Sequence, residues 1–81
     1  MTKLEEKLIE LGYEKISHNY MTRLTCYKKD FDFSYIYFYI RDGEIVTYSA
    51  YLLRHQTQYD DLQQAYNQLQ KDLEVLKNAK N

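Results

Sequence analysis

The sequence predicts an α+β fold: an N-terminal helix, a three- to four-stranded antiparallel β-meander, and a long C-terminal helix packed on the sheet. Three observations carry that expectation. Residues 31–40 alternate, with Tyr35, Tyr37 and Tyr39 on one parity and Ile36, Phe38 and Ile40 on the other, the period-two pattern of a strand with two unlike faces. Asp42-Gly43 is a strong two-residue hairpin signal, because such loops need positive φ. Leucines recur at helical spacing before residue 12 and after residue 58. At 81 residues the chain is expected to form one domain over residues 1–81. The helices are expected at about 3–11 and about 57–79, with the strands within about 13–53.

The first helix has a capping box, since Thr2 is followed three residues on by Glu5. Leu4, Leu8 and Leu11 then share a stripe while Glu5, Glu6, Lys7 and Glu10 stay wet. Gly12 is the stop, because glycine takes the left-handed cap conformation without a Cβ penalty. A short strand over Tyr13–Ser17 is expected to turn at His18-Asn19. Tyr20–Lys28 reads as a firmer strand, with Leu24 and Cys26 inward and Arg23, Thr25 and Tyr27 outward. Lys28–Asp30 reads as a polar turn leading into the tyrosine strand, which runs to Arg41. From Glu44 the chain returns with Val46, Tyr48 and Ala50 facing the core and Thr47, Ser49 and Tyr51 facing out; Ile45 and Tyr51 pull toward the opposite phase.

Thr57 can cap the last helix, and Asp60 and Asp61 complement the positive end of its dipole. Lys77 and Lys80 lie near the negative end. At roughly 22 residues it would be about 33 Å long. Tyr59, Leu62, Tyr66, Leu69, Leu73 and Leu76 are spaced as a heptad seam. Its Tyr59–Tyr66 half is expected to lie on the chain's own sheet. Leu69, Leu73 and Leu76 are the candidate dimer interface, because a sheet of ~20 Å strands cannot cover a ~33 Å helix unless the helix crosses diagonally or overhangs, and overhanging leucines need either the Leu4/Leu8/Leu11 stripe of the first helix or a partner chain. In a parallel pair, Asp72 would then meet Lys77 of the other chain.

Composition bounds the function. A chain of this size buries somewhat over ~60% of its unfolded surface, so the core is thin. One cysteine excludes an internal disulfide framework and a cysteine-based zinc site, which fits a reducing compartment. No apolar run follows a basic start and no segment reaches the ~20 apolar residues of a membrane span, so a cytoplasmic protein with no membrane partner is expected. A net charge of −1, with both signs interleaved, suits neither a nonspecific nucleic-acid binder nor a strongly acidic DNA mimic. Tyrosine is the outlier, at ten of 81 residues with no tryptophan and no proline.

Reaction chemistry is harder to find. Asp30/Asp32 and Asp42/Glu44 are carboxylate pairs at turns, where aspartate normally caps backbone; acid–base work needs carboxylates held in a pocket with separated pKa values. His18 and His55 have no partners at metal-ligand spacing. Cys26 alternates with Leu24 and reads as a small core residue. Two glycines cannot build a phosphate loop. The chain is therefore expected to be no enzyme, with no cofactor and no metal. The candidate partner-binding surface is the outer sheet face: Tyr35, Tyr37, Tyr39 and Tyr27, flanked by Arg23 and Arg41. Tyrosine and arginine are enriched in interface hot spots. The same rings could stack bases or a nucleotide, or simply stabilise a solvated antiparallel face.

The chain opens MTKLEEKLIELGYEK and closes QYDDLQQAYNQLQKDLEVLK around its tyrosine-rich middle. In this it resembles the small, mostly uncharacterised proteins encoded by phages and prophages of low-GC Gram-positive bacteria. The segments DLQQAY and QKDLEVLK carry most of the resemblance and LEEKLIELGY adds to it. The resemblance implies an accessory factor in the cytoplasm of a bacterial host. Some such proteins bind and block a host protein, including defence systems such as CRISPR effectors. It transfers no functional residue. The expected function is thus non-enzymatic binding and inhibition of a host protein, anti-CRISPR-like in kind, with a homodimer through the C-terminal helix. The alternatives are a nucleotide- or single-strand-binding sponge and a small structural or assembly protein.

Overall fold

A computed structural model describes residues 2–53 and 59–79, leaving aside the side chain of Tyr59. Helix α1 (Lys3–Glu10) leads into strands β1 (Glu14–Asn19), β2 (Leu24–Phe31), β3 (Ser34–Arg41) and β4 (Glu44–Leu52), and helix α2 (Tyr59–Lys77) closes the chain. The four strands form one antiparallel sheet in the order β1-β2-β3-β4, a meander in which each strand pairs with its neighbour in sequence. No helix among the described residues is long and apolar enough to cross a membrane.

The capping box at the start of α1 is formed: Glu5 N–H donates to Thr2 Oγ1 at 3.2 Å, and Thr2 N–H donates to Glu5 Oε1 at 3.3 Å. At the other end Gly12, at φ +97°, takes the left-handed position, and the Gly12 and Tyr13 amides bond back to the Ile9 and Leu8 carbonyls. That pairing is a Schellman stop. It turns the chain so that Tyr13 enters the core 2% exposed. The Asp42-Gly43 turn has both residues at positive φ, 53° and 76°, as a type I′ hairpin requires. Thr57, expected as the cap of the last helix, lies outside the described residues, as do His55 and Lys80.

Three strand assignments differ from expectation. First, β1 runs on to Asn19, and residues 20–23 make the turn: Asn19 Oδ1 accepts from the Met21 and Thr22 amides, and Arg23 sits at φ 64°. Second, β2 continues through Lys28–Asp30, and the turn falls at Asp32-Phe33. Its phase is also reversed. Tyr27 pairs with Phe38 and Thr25 with Ile40 on the covered face, while Leu24, Cys26 and Lys28 share the tyrosine face. Tyrosine can be buried once its hydroxyl finds a partner, and Tyr27 O–H donates to Glu5 Oε2 at 2.8 Å. Third, a β-bulge resolves the mixed signal in β4. Ile40 pairs with Ile45 but Tyr39 pairs with Thr47, so Val46 is the extra residue. Ile45, Tyr48 and Ala50 can then all face the helices, and Val46, expected in the core, is 46% exposed.

Both helices lie on one face of the sheet. Leu4 and Leu8 of α1, and Ala65, Leu69, Leu73 and Leu76 of α2, form one cluster with Tyr13, Tyr27, Ile36, Phe38, Ile40 and Ala50. This corrects the dimer-interface assignment. Leu69, Leu73 and Leu76 are 3%, 5% and 0% exposed within a single chain. The distal part of α2 finds α1 as well as the sheet beneath it, so its leucines are already spent on the chain's own core. Tyr66, by contrast, leaves the seam and is 37% exposed.

Asp72 is corrected too. Instead of facing another chain it is 2% exposed between the layers, where Oδ2 accepts from Tyr13 O–H at 2.8 Å and Lys29 Nζ at 2.7 Å, and Oδ1 accepts from Gln68 Nε2 at 2.9 Å. Lys29 Nζ also donates to the Leu11 carbonyl at 3.1 Å. A buried charge is tolerated when it is paired and its remaining lone pairs are satisfied, and this group joins β2, α2 and the end of α1. Burial first, then the bond to Asp72, pushes the Tyr13 hydroxyl far above its ordinary pKa.

Candidate functional site

The other face of the sheet carries no helix among the described residues. Tyr35, Tyr37 and Tyr39 stand on it at alternate positions of β3, and Arg41 follows on the same parity. The antiparallel register adds a fourth ring. Tyr35 pairs directly with Tyr51 of β4, and Tyr37 with Ser49. The Tyr37 and Tyr51 rings stack at 5.7 Å and 11°, Tyr35 and Tyr51 lie tilted at 5.6 Å, and Tyr37 meets Tyr39 edge-to-face at 5.2 Å. From β2, Lys28 places its ammonium 4.6 Å over the Tyr35 ring. Cys26, opposite Tyr39, is 4% exposed beneath these side chains.

The rings are therefore a connected array, with their faces turned largely on one another and on Lys28. The hydroxyls share in this. A hydrogen bond with Tyr51, then burial, pushes the Tyr37 hydroxyl up to about 12. Tyr39 is raised by the adjoining Cys26 thiol, to which it is also hydrogen-bonded. Burial in turn raises Cys26, against lowering contributions from Tyr39 and Lys28. Such an array is preorganised, because rings that hold each other lose little freedom when something docks on them.

The six residues chosen from sequence thus divide. Tyr35, Tyr37, Tyr39 and Arg41 share the open face. Tyr27 does not: it is 1% exposed on the helix-covered side, with its hydroxyl on Glu5. Arg23 does not flank the rings either. It occupies the left-handed position of the β1–β2 turn and reaches Asp42 at 3.3 Å, tying two hairpin turns together at one end of the sheet. Tyr51 and Lys28 are members the sequence reading did not select. The signal for both was register, and the bulge at Val46 hid it for Tyr51: an unbroken hairpin from Asp42-Gly43 would set Tyr35 against Ala50.

The remaining chemical candidates have local roles. Asp32 and Asp42 hold positive-φ turn positions at 54° and 53°, and exposed Asp30 lies 3.9 Å from Lys28. His18 Nδ1 sits 2.6 Å from Thr25 Oγ1, on a strand pair. Among the described residues, no group of three or more His, Cys, Asp and Glu is placed to hold a metal ion. One open groove borders the edge of β4, where Ile45, Val46, Thr47 and Tyr48 meet Leu73 and Lys77 of α2. No protein-family model, no curated protein and no solved structure matches the chain.

Proposed function

We propose that this chain is a non-catalytic binding protein that engages a protein partner through the open sheet face, with Tyr35, Tyr37, Tyr39 and Tyr51 at its centre and Arg41 and Lys28 at its margin. The observation that carries this reading is the asymmetry of the two layers. One face of the sheet is covered by both helices; the other displays four mutually packed tyrosines. Tyrosine offers large, stiff contact area with a polar tip, and arginine often joins it in hot spots. The way the rings pack favours protein over nucleic acid. A base-stacking platform presents open ring faces, whereas these rings are packed against each other and, at Tyr35, under the Lys28 ammonium. The near-neutral charge favours the same choice. Turn-bound aspartates and a thiol raised by burial support a role without catalysis. The resemblance of the chain's two ends to small phage proteins supports a host protein, such as a defence effector, as the class of partner, and inhibition in the bacterial cytoplasm as the outcome.

The test pairs a triple variant with a pull-down. Tyr35→Ser/Tyr37→Ser/Tyr39→Ser is expected to stay folded, because these rings lie outside the main core, and to lose a stoichiometric protein that the wild type retains from a Gram-positive lysate after nuclease treatment. Partners lost only on nuclease treatment would instead assign the face to single strands. An empty lane for the wild type would move the reading to a small-ligand sponge or an assembly role. A triple variant that unfolds would show that the rings are structural.

A further inference from the structure

The two edges of the sheet are built differently. Edge strand β1 is six residues long, is interrupted by a bulge at Ile16, and carries Glu14 and Lys15. Short length, a bulge and charge are the devices that stop an edge from recruiting another strand. Edge strand β4 lacks most of them. It is nine residues long, its bulge lies near its start, and residues 45–52, Ile-Val-Thr-Tyr-Ser-Ala-Tyr-Leu, contain no charge. Its outer edge has no strand partner among the described residues. Exposed apolar side chains gather along it: Val46 at 46%, Tyr48 at 37%, Tyr51 at 48%, and Tyr66 of α2 at 37%, whose hydroxyl lies 3.4 Å from Ser49 Oγ.

We propose that this edge is an interface between two copies of the chain, with β4 pairing antiparallel to β4 of a second copy about a two-fold axis. The result is a continuous eight-stranded sheet in which α2 lies beside α2 of the partner subunit. The occupant is a second copy because the edge is self-complementary. A two-fold pairing over residues 47–52 sets no like charges against each other, and an isologous contact needs only one patch. Helix α2 supplies the matching charges. It runs back along β4, with Leu73 and Lys77 beside Ile45–Tyr48 and Tyr66 beside Ser49. It is acidic in its first turn and basic in its last. The same two-fold axis sets the two helices antiparallel, bringing Lys77 toward Asp60 of the partner subunit, twice per dimer. Within one chain these residues are about 25 Å apart along the helix and cannot pair. The sheet stays continuous, so both tyrosine faces end up on the same side, with the two Tyr51 rings nearest the axis. The dimer does not depend on what those faces bind.

Sedimentation equilibrium of the full chain tests this with three variants, each checked for a wild-type far-UV spectrum. The wild type is expected to reach about twice its 9.9 kDa in the micromolar range. Ser49→Lys places two ammonium groups near the axis and should raise the dimer dissociation constant about tenfold or more. Asp60→Lys and Lys77→Glu, both on exposed residues, each turn two attractions into repulsions and should weaken the dimer by about tenfold. An equimolar mixture of the two charge variants restores opposite charges across the interface and should regain the wild-type dimer. A wild type that stays at 9.9 kDa at every concentration overturns the proposal. So does a dimer indifferent to all three substitutions, or one that mixing fails to restore.

Discussion

The two faces of this sheet draw on the same residue type for opposite ends. On the covered face, Tyr13 and Tyr27 are 2% and 1% exposed, and each hydroxyl is held by a carboxylate, Asp72 or Glu5. On the open face, Tyr35, Tyr37, Tyr39 and Tyr51 hold one another. Tyr13 and Tyr27 are thus core residues whose hydroxyls reach a carboxylate, whereas the four tyrosines of the open face pack on one another.

That contrast can be broken from the covered side with the largest effect. Phe38 is fully buried between Tyr13 and Tyr48, 5.3 and 5.6 Å from their ring centroids. Phe38→Ala should cost about 3–5 kcal/mol in urea denaturation, enough to unfold much of a domain this small. Asp72→Ala follows. It strands Lys29 between the layers, and removing one partner of a buried pair typically costs about 3–5 kcal/mol. The lower end applies, because the Lys29 side chain keeps 16% of its surface exposed. Replacing both groups, as Lys29→Met/Asp72→Leu, should recover most of that loss in the same assay.

The open face should respond more weakly. Cross-strand pairs contribute about 0.2–1 kcal/mol each, so the triple serine variant should lose roughly 1–3 kcal/mol while losing its partner entirely. The smallest effect sharpens the comparison through pH. A phenol whose folded pKa lies above its unfolded value of 10 adds stability that is complete below that value and lost as pH rises through the folded pKa. Tyr37, at about 12, gives a window from about 10 to about 12; Tyr13, Tyr27 and Tyr39 are raised in the same direction. Phenolate absorbance should show these four tyrosines ionising only above 10, with urea midpoints falling over that window. A single titration step near pH 10 with a flat urea midpoint would contradict the shared hydrogen bonds.

Much of the architecture was legible in the sequence because it rests on local rules. Thr2 with Glu5, Gly12, Asp42-Gly43 and the alternation of residues 35–40 each act over a few residues, and each element appears where its signal lies. What was not legible depended on distance. The phase of β2 turned on Tyr27 finding Glu5, 22 residues away, and on Lys29 finding Asp72, 43 residues away. The bulge at Val46 reconciled two conflicting phases that period-two reading had to choose between. The leucines of α2 could be read as meeting either α1 or a partner chain, and local spacing could not choose between them, because the contact with α1 spans most of the chain. Of the candidate site, the β3 residues were readable and the β2 and β4 contributions were not, since register is a property of pairs of strands.

The order of the sheet has a consequence for how the molecule assembles. Every strand pairs with its neighbour in sequence, so each hairpin closes only a short loop, and topologies of this kind fold quickly for β proteins. Helix α2 is joined to Tyr13 and Lys29 across 59 and 43 residues, contacts that close much longer loops than the hairpins do. Weakening the Asp42-Gly43 turn should therefore slow refolding, whereas Asp72→Ala should mainly speed unfolding, which the two limbs of a chevron would separate. A refolding limb slowed by the turn variant alone would place the tyrosine face, the surface proposed to meet a partner, among the first parts of the chain to take its final shape.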